Sequence, residues 1–419
     1  MIERACFRLL PRPLWRIAFI RRIDMLYSFS FIAMAFAYLC IGSSFSSFAL
    51  LPLFISERGG SAADIGIIMG TFSLASVLCR PWISEMVDRI GRKKSFTMGC
   101  VLTTVLPACY VLFRGNLFSF YIPLLLVRIV HGVGLAICLT AAFTYAVDII
   151  PKERLNEGIG VFGISGLTGM AAGPVIAEVI IHNFGFDCFF LTAAGVAAVG
   201  LLIHLPLPES YADVGGHRAK GPSFLNVLGN HRIITVSLLA FLFGFGLAGP
   251  CNFVAPFAHE KQLPFISLYF ITYSLAAVLT RVLGGRLADR IGEEHIIPCA
   301  LAVTGGGLLL LILLNGNTTL ALSGLMSGLG HGFLYPSLTA LAVRRQPAEI
   351  RGKITGIFTG SIDAGMLIGS IALGYVAEYA GFRILFLLAG FALLSGVLVF
   401  KLRTTGRSSP ENPIYMENV

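Results

Sequence analysis

Long apolar runs alternate along the chain with short breaks rich in charge, Gly, Pro or Asn. Twelve runs have about the 20 residues that a helix needs to cross the hydrocarbon of a bilayer. They cover residues 27–55, 64–85, 95–113, 118–147, 157–182 and 187–206, then 233–257, 264–284, 295–315, 318–343, 353–378 and 383–402. The pattern predicts an all-α membrane protein of twelve transmembrane helices. The breaks divide the chain into a basic tail (1–24), a first six-helix bundle (25–207), a polar linker (208–232), a second six-helix bundle (233–403) and a polar C-terminal tail (404–419).

Composition sharpens this reading. Of the 419 residues, 56% are hydrophobic and 13% charged, against roughly 25% charged in soluble domains. With a mean hydropathy of +0.82, a soluble enzyme, a nucleic-acid binder and a disordered scaffold are excluded. The basic residues fix an orientation by the positive-inside rule. Of 31 Lys and Arg, 24 fall in the breaks or at the span ends on one side and four on the other, which predicts cytoplasmic N- and C-termini. The remaining three, Arg80, Arg128 and Arg281, lie within spans. This bias accounts for the basic isoelectric point without nucleic acid. Pro11 and Pro13 interrupt the Arg-rich start, so it reads as a juxtamembrane tail instead of a targeting helix. The nine cysteines show no C-x-x-C and no pairing rhythm. No disulfide framework, metal site or cofactor is expected.

The chain repeats itself. SLASVLCRPWISEMVDRIG at 73–91 returns as SLAAVLTRVLGGRLADRIG at 274–292, at an offset of 201. His131 and Gly132 return as His331 and Gly332 at an offset of 200. Gly160, Phe162, Gly169 and Gly173 return as Gly356, Phe358, Gly365 and Gly369 at an offset of 196. Two parallel bundles related by a pseudo-two-fold axis along the membrane normal follow from this.

The loop Asp88-Arg89-Ile90-Gly91-Arg92-Lys93-Lys94 resembles the G-x-L-A-D-R-x-G-R-R/K signature of the major facilitator superfamily, with Ser84 at its first position. The second copy, from Gly285 through Asp289, Arg290 and Gly292, keeps the front of the signature and replaces the basic end with Glu293 and Glu294. The resemblance implies a carrier whose loop latches one side shut, with Asp88, Arg89, Gly91 and Arg92 in that role and Asp148 as charge partner. Asp289, Arg290 and Gly292 would form the equivalent latch. Arg128 and His131 resemble the family's R-x-x-Q-G element, with His in place of Gln. That element implies proton coupling or substrate positioning, and a structural arginine bonded to backbone carbonyls is the alternative. Gly169, Gly173 and Pro174 resemble G-x-x-x-G-P-x-x-G-G, associated with proton-coupled export, although Ala177 and Glu178 replace its last two glycines. Close helix packing explains the same glycines.

Acids within spans are few. Asp363 follows Gly360 and Gly356 by three and seven residues, which places it on their interior-facing side. It is the first candidate for the coupling acid, with Glu178 second. Asn252 sits beside Gly249 and Pro250 in a run suited to bending around a cavity. His331 shares the two readings of His131, a titrating group or a helix-to-helix hydrogen bond. The expected function is proton-coupled efflux of small hydrophobic or amphipathic compounds by alternating access. Uptake of a polar or anionic metabolite with protons and a transport-inactive receptor are the alternatives. No Walker loop, H-E-x-x-H or G-x-S-x-G is present to suggest an enzyme. The expected partners are a small-molecule substrate, protons or sodium, and lipid. The expected form is a monomer with multiple crossings of a cell membrane, the inner membrane of a bacterium.

Overall fold

The computed structural model describes residues 27–151, 154–210, 231–343 and 348–404. Within these, the side chains of Pro81, Asn156, residues 285–290, residues 348–353 and Thr404 are excepted. The expected basic tail, most of the linker and the C-terminal tail lie outside the described residues. So do the side chains of Asp289 and Arg290.

Among the described residues the structure is helical throughout, without strands. The first half contains α1 (Phe29–Ser47), α2 (Leu51–Glu57), α3 (Ala62–Ile90), α4 (Arg92–Cys109), α5 (Tyr121–Ile149) and α6 (Leu155–His204). The second contains α7 (His231–Glu260), α8 (Leu268–Ile291), α9 (Glu293–Leu310), α10 (Asn317–Val343) and α11 (Ala348–Thr404). Eight of the helical runs are long and apolar enough to cross a membrane. Their outward side chains include exposed apolar ones, as at Phe36, Leu112 and Ile122, which suits contact with lipid.

The first expected span is not one continuous helix. A 3₁₀ turn at Phe48–Leu50 separates α1 from α2, and Pro52 stands in the first turn of α2. Proline has no amide hydrogen to donate to the carbonyl four residues earlier, so the α-helical ladder breaks at Phe48. Ser61 then caps α3 by a reciprocal box, its hydroxyl accepting from the Asp64 amide at 3.2 Å while the Asp64 carboxylate accepts from the Ser61 amide at 2.9 Å.

The two longest helices each double back. A straight helix of 50 residues would span about 75 Å. Yet α6 begins only seven residues after Asp148 of α5, and Ser210, six residues past its end, donates to Asp148 at 3.1 Å. The reversal falls at Gly185, whose φ of 77° lies in the region where a side chain would be strained. In α11 the break is Gly381, at φ 83°. Contacts with α7 show the change of direction there. Gly365 and Gly369 approach the backbone of Phe241 and Phe245, so that segment ascends with α7. Beyond Gly381, Leu385 and Ala389 flank Gly249 while Leu393 flanks Gly246, so the chain now descends.

Gly185 and Gly381 are exactly one repeat offset of 196 apart, and Gly91 and Gly292, both at positive φ, are 201 apart. Packing repeats as well. α1 lies on α6 as α7 lies on α11, α3 on α5 as α8 on α10, and α4 on α5 as α9 on α10. The halves meet along two equivalent seams, α3 against α11 and α8 against α6. A Cβ on Gly66 would stand 2.4 Å from the Ser370 carbonyl oxygen and 3.0 Å from the Gly374 Cα, so backbones touch in the first seam.

Candidate functional site

The α3–α11 seam carries an ion pair between the repeats. Arg80 on α3 pairs through Nη2 with the Asp363 carboxylate on α11. Arg80 Nη1 donates to Thr359 Oγ1 at 2.9 Å and Nη2 to Ser76 Oγ at 3.2 Å, while Ser76 Oγ donates to Asp363 at 2.8 Å. About a quarter of each charged side chain remains exposed, 26% for Arg80 and 24% for Asp363. Asp363 thus lies half-buried in the seam between the repeats. Arg80, Ser76 and Thr359 complete the site and were not assigned to it by sequence. The available signal was that Arg80 and Arg281 are two of three intraspan cations and stand one repeat offset apart.

Arg281 on α8 faces the other seam. Its Nη1 would stand 2.8 Å from a Cβ placed on Gly163 of α6. Its guanidinium carbon lies 5.9 Å from the Tyr335 ring centroid, its Nε is buried without a hydrogen-bond partner, and the phenols of Tyr335, Tyr273 and Tyr38 are within its electrostatic reach. Tyr335 is also within electrostatic reach of Arg80 and Asp363.

At the end remote from Asp88, two carboxylates bind backbone amides at or just before helix N-termini in the opposite half. Glu178 of α6 accepts from the Ile266 amide at 2.6 Å and the Ser267 amide at 2.8 Å, and from the Ser267 hydroxyl. Glu378 of α11 accepts from the Ala62 amide at 2.9 Å. A carboxylate suits a helix N-terminus because unbonded amides and the helix dipole both favour negative charge there. Glu178 is therefore separate from Asp363.

The Asp88 loop draws its members together within the first repeat. Arg92 donates from Nε to Asp148 at 2.9 Å and lies 3.6 Å from Asp88. Arg89 turns outward and pairs with Glu85 at 2.5 Å. Glu209, which sequence reasoning missed, accepts from the amides of Lys93 at 3.0 Å and Lys94 at 3.3 Å. It thereby supplies negative charge to the basic first turn of α4. The second copy carries that charge in its own sequence, since Glu293 and Glu294 occupy the first turn of α9 after Gly292.

Arg128 and His131 are brought together among aromatic rings. Arg128 is 2% exposed. It donates to the Ile68 carbonyl at 3.5 Å and lies 4.6 Å from the Phe72 ring centroid and 5.9 Å from that of Phe48. His131 packs edge-on to Phe48 and Phe72, with no hydrogen bond to either ring nitrogen. Its repeat mate His331 instead shares a hydrogen bond through Nδ1 with the Tyr273 hydroxyl. Asn252 donates to Ser370 Oγ at 2.7 Å and ties α7 to α11. Gly169 and Gly173 admit α1: a Cβ on Gly173 would stand 2.3 Å from the Ser43 carbonyl oxygen. Their mates Gly365 and Gly369 admit α7 in the same manner, without a counterpart to Pro174.

Comparison with known proteins places this arrangement. The family model described as Major Facilitator Superfamily matches residues 30–271 and 236–415. The MFS-type transporter YhhS of Escherichia coli K12 is 26% identical over 378 residues, covering 88% of this chain and 90% of that protein. Multidrug resistance protein 2 of Bacillus subtilis is 24% identical over 361 residues, covering 83% and 88%. The crystal structure of the human organic anion transporter MFSD10 superposes with a TM-score of 0.67 at 17% identity, covering 89% of this chain and 99% of that one. At that identity the superposition speaks for the fold alone.

Proposed function

The chain belongs to the major facilitator superfamily, and on that premise we propose that it is a proton-coupled transporter exporting small hydrophobic or amphipathic compounds by alternating access. In this reading twelve segments cross the membrane in two bundles, with both termini and the linker 208–232 in the cytoplasm and the protein acting as a monomer in a bacterial inner membrane. The placement of 24 of 31 basic residues on one side and the paired reversals at Gly185 and Gly381 support it.

The observation that carries the mechanism is the Arg80–Asp363 pair between the repeats. Alternating access requires the two halves to part and re-form their contacts on opposite sides of the substrate. A proton on Asp363 cancels the charge that holds Arg80 and loosens the α3–α11 seam; release of the proton restores it. Proton binding and seam opening then share one equilibrium, which a ligand with different affinity for the two states also shifts. Glu178 and Glu378 close the outer end in the state described, and the latch at the inner end is assigned, on the family resemblance, to the Asp88–Arg92–Asp148 group and its second copy at Asp289, Arg290 and Gly292. Arg128, His131 and His331 position helices within each repeat. Export, as the direction, draws on the relative named for multidrug resistance and on the Gly169, Gly173 and Pro174 element.

Inverted vesicles with an acid interior and a pH-sensitive dye test this. Addition of one class from a panel of lipophilic cations, neutral drugs, sugars and small acids is expected to release the interior acid. Asp363→Asn is expected to lose that response while still exchanging labelled for unlabelled substrate, since exchange needs no net proton movement. Full proton movement in Asp363→Asn would defeat the assignment. A response only in right-side-out vesicles would reverse the direction.

A further inference from the structure

Arg80 and Arg281 occupy the same place in the two repeats, but their surroundings differ in one consistent way. Arg80 has three polar partners: Ser76, Thr359 and Asp363. At the repeat offsets of 201 and 196, the corresponding residues around Arg281 are Ala277, Gly163 and Leu167. Every polar partner is replaced by an apolar residue or glycine, and the arginine stays. Arg281 makes no hydrogen bond or ion pair with the described residues. A guanidinium inside a membrane costs several kcal/mol unless something cancels or hydrates it. The Arg281 guanidinium lies against Gly163 of α6 across the seam, and its half-buried setting leaves part of it accessible.

The flanking residues show the shape of what fits. Tyr38 of the first repeat stacks on Phe162 at 4.9 Å between centroids, and Tyr335 of the second packs edge-on to Phe358 at 5.5 Å. Both tyrosines lie within electrostatic reach of Arg281. Their phenol oxygens supply polar contacts and their rings supply apolar faces. We propose that Arg281 is the anchor for the carboxylate of an amphipathic organic anion, whose apolar body lies between Tyr38 and Tyr335. The ligand thus supplies at Arg281 the charge that Asp363 supplies at Arg80. Planar guanidinium suits this because it binds a carboxylate through two parallel hydrogen bonds.

The proposal rests on the chain being a carrier, and its test is independent of proton coupling. The full chain, in nanodiscs of neutral lipid and without a gradient, is titrated with benzoate, 4-phenylbutyrate and 2-naphthoate and with the primary amide of each. Binding is read by calorimetry and by the shift in unfolding temperature. At least one carboxylate is expected to bind in preference to its amide, and Arg281→Gln to weaken it roughly ten- to a hundredfold, the range for a charge-assisted contact. Arg281→Lys is expected to retain part of the affinity, which separates loss of charge from loss of fold. The titration uses no gradient, so failure of proton coupling in vesicles would leave this result standing. Equal binding of acid and amide across the series, no binding of any acid, or undiminished binding by a folded Arg281→Gln would each overturn the proposal.

Discussion

Arg80 and Asp363 neutralise each other across a seam between repeats, so neither can be removed without leaving the other charged in a half-buried place. Asp363→Asn or Arg80→Gln alone is expected to lower stability by about 1–3 kcal/mol, below the figure for a fully buried pair because both side chains reach solvent. The double variant is expected to recover part of the loss, read as the unfolding midpoint in detergent; additive losses would mean that the pair is not coupled. Asp363 is legible from sequence as an interior acid because helical spacing puts it with Gly360 and Gly356. Its partner is not, since Arg80 is 283 residues away and periodicity describes one helix, not how two repeats dock. Arg128 shows the opposite limit: the sequence marks it as costly, and only the structure shows that it is met by aromatic faces and a carbonyl of its own repeat.

Within single elements the sequence reads further. The reversals at Gly185 and Gly381 fall in the gaps left between the expected spans. The interruption of the first span at Phe48 does not show in hydropathy, because Pro52 breaks the ladder without interrupting the apolar run. The glycines of α6 have unequal duties that their shared spacing hides. A Cβ on Gly173 would stand 2.1 Å from Ser46 Oγ and 2.3 Å from the Ser43 carbonyl oxygen, whereas Gly160 has nothing within 4 Å. Gly173→Ala is expected to destabilise by about 1–3 kcal/mol through overpacking against α1. Gly160→Ala is expected to be neutral or to stabilise by up to about 1 kcal/mol, the helix-interior difference between the two residues. Thermal unfolding of the two variants side by side checks the contrast, and equal effects would refute it.

Across the whole molecule, pseudo-symmetry is kept in the helix packing and broken in the chemistry. The seams, the packing pairs and the positive-φ glycines repeat, while Asp363 has Leu167 as its mate and the basic turn after Gly91 has an acidic one after Gly292. Closure of the end remote from Asp88 belongs to this scale, since Glu178 joins one half to the other. Glu178→Gln keeps an acceptor but loses its charge, and is expected to raise the population open at that end about tenfold. Spin labels at Glu57 and Glu260, both exposed and one in each half, report the distance; an unchanged distribution would refute the clasp. Arg281 carries an uncancelled positive charge in the apolar run 268–284, and membrane voltage acts on any such charge. Full passage of one charge is worth about 2.3 kcal/mol per 100 mV, so even a fractional displacement as α8 moves biases the empty protein toward the negative face. A bound carboxylate cancels the charge, and the loaded protein moves without that bias.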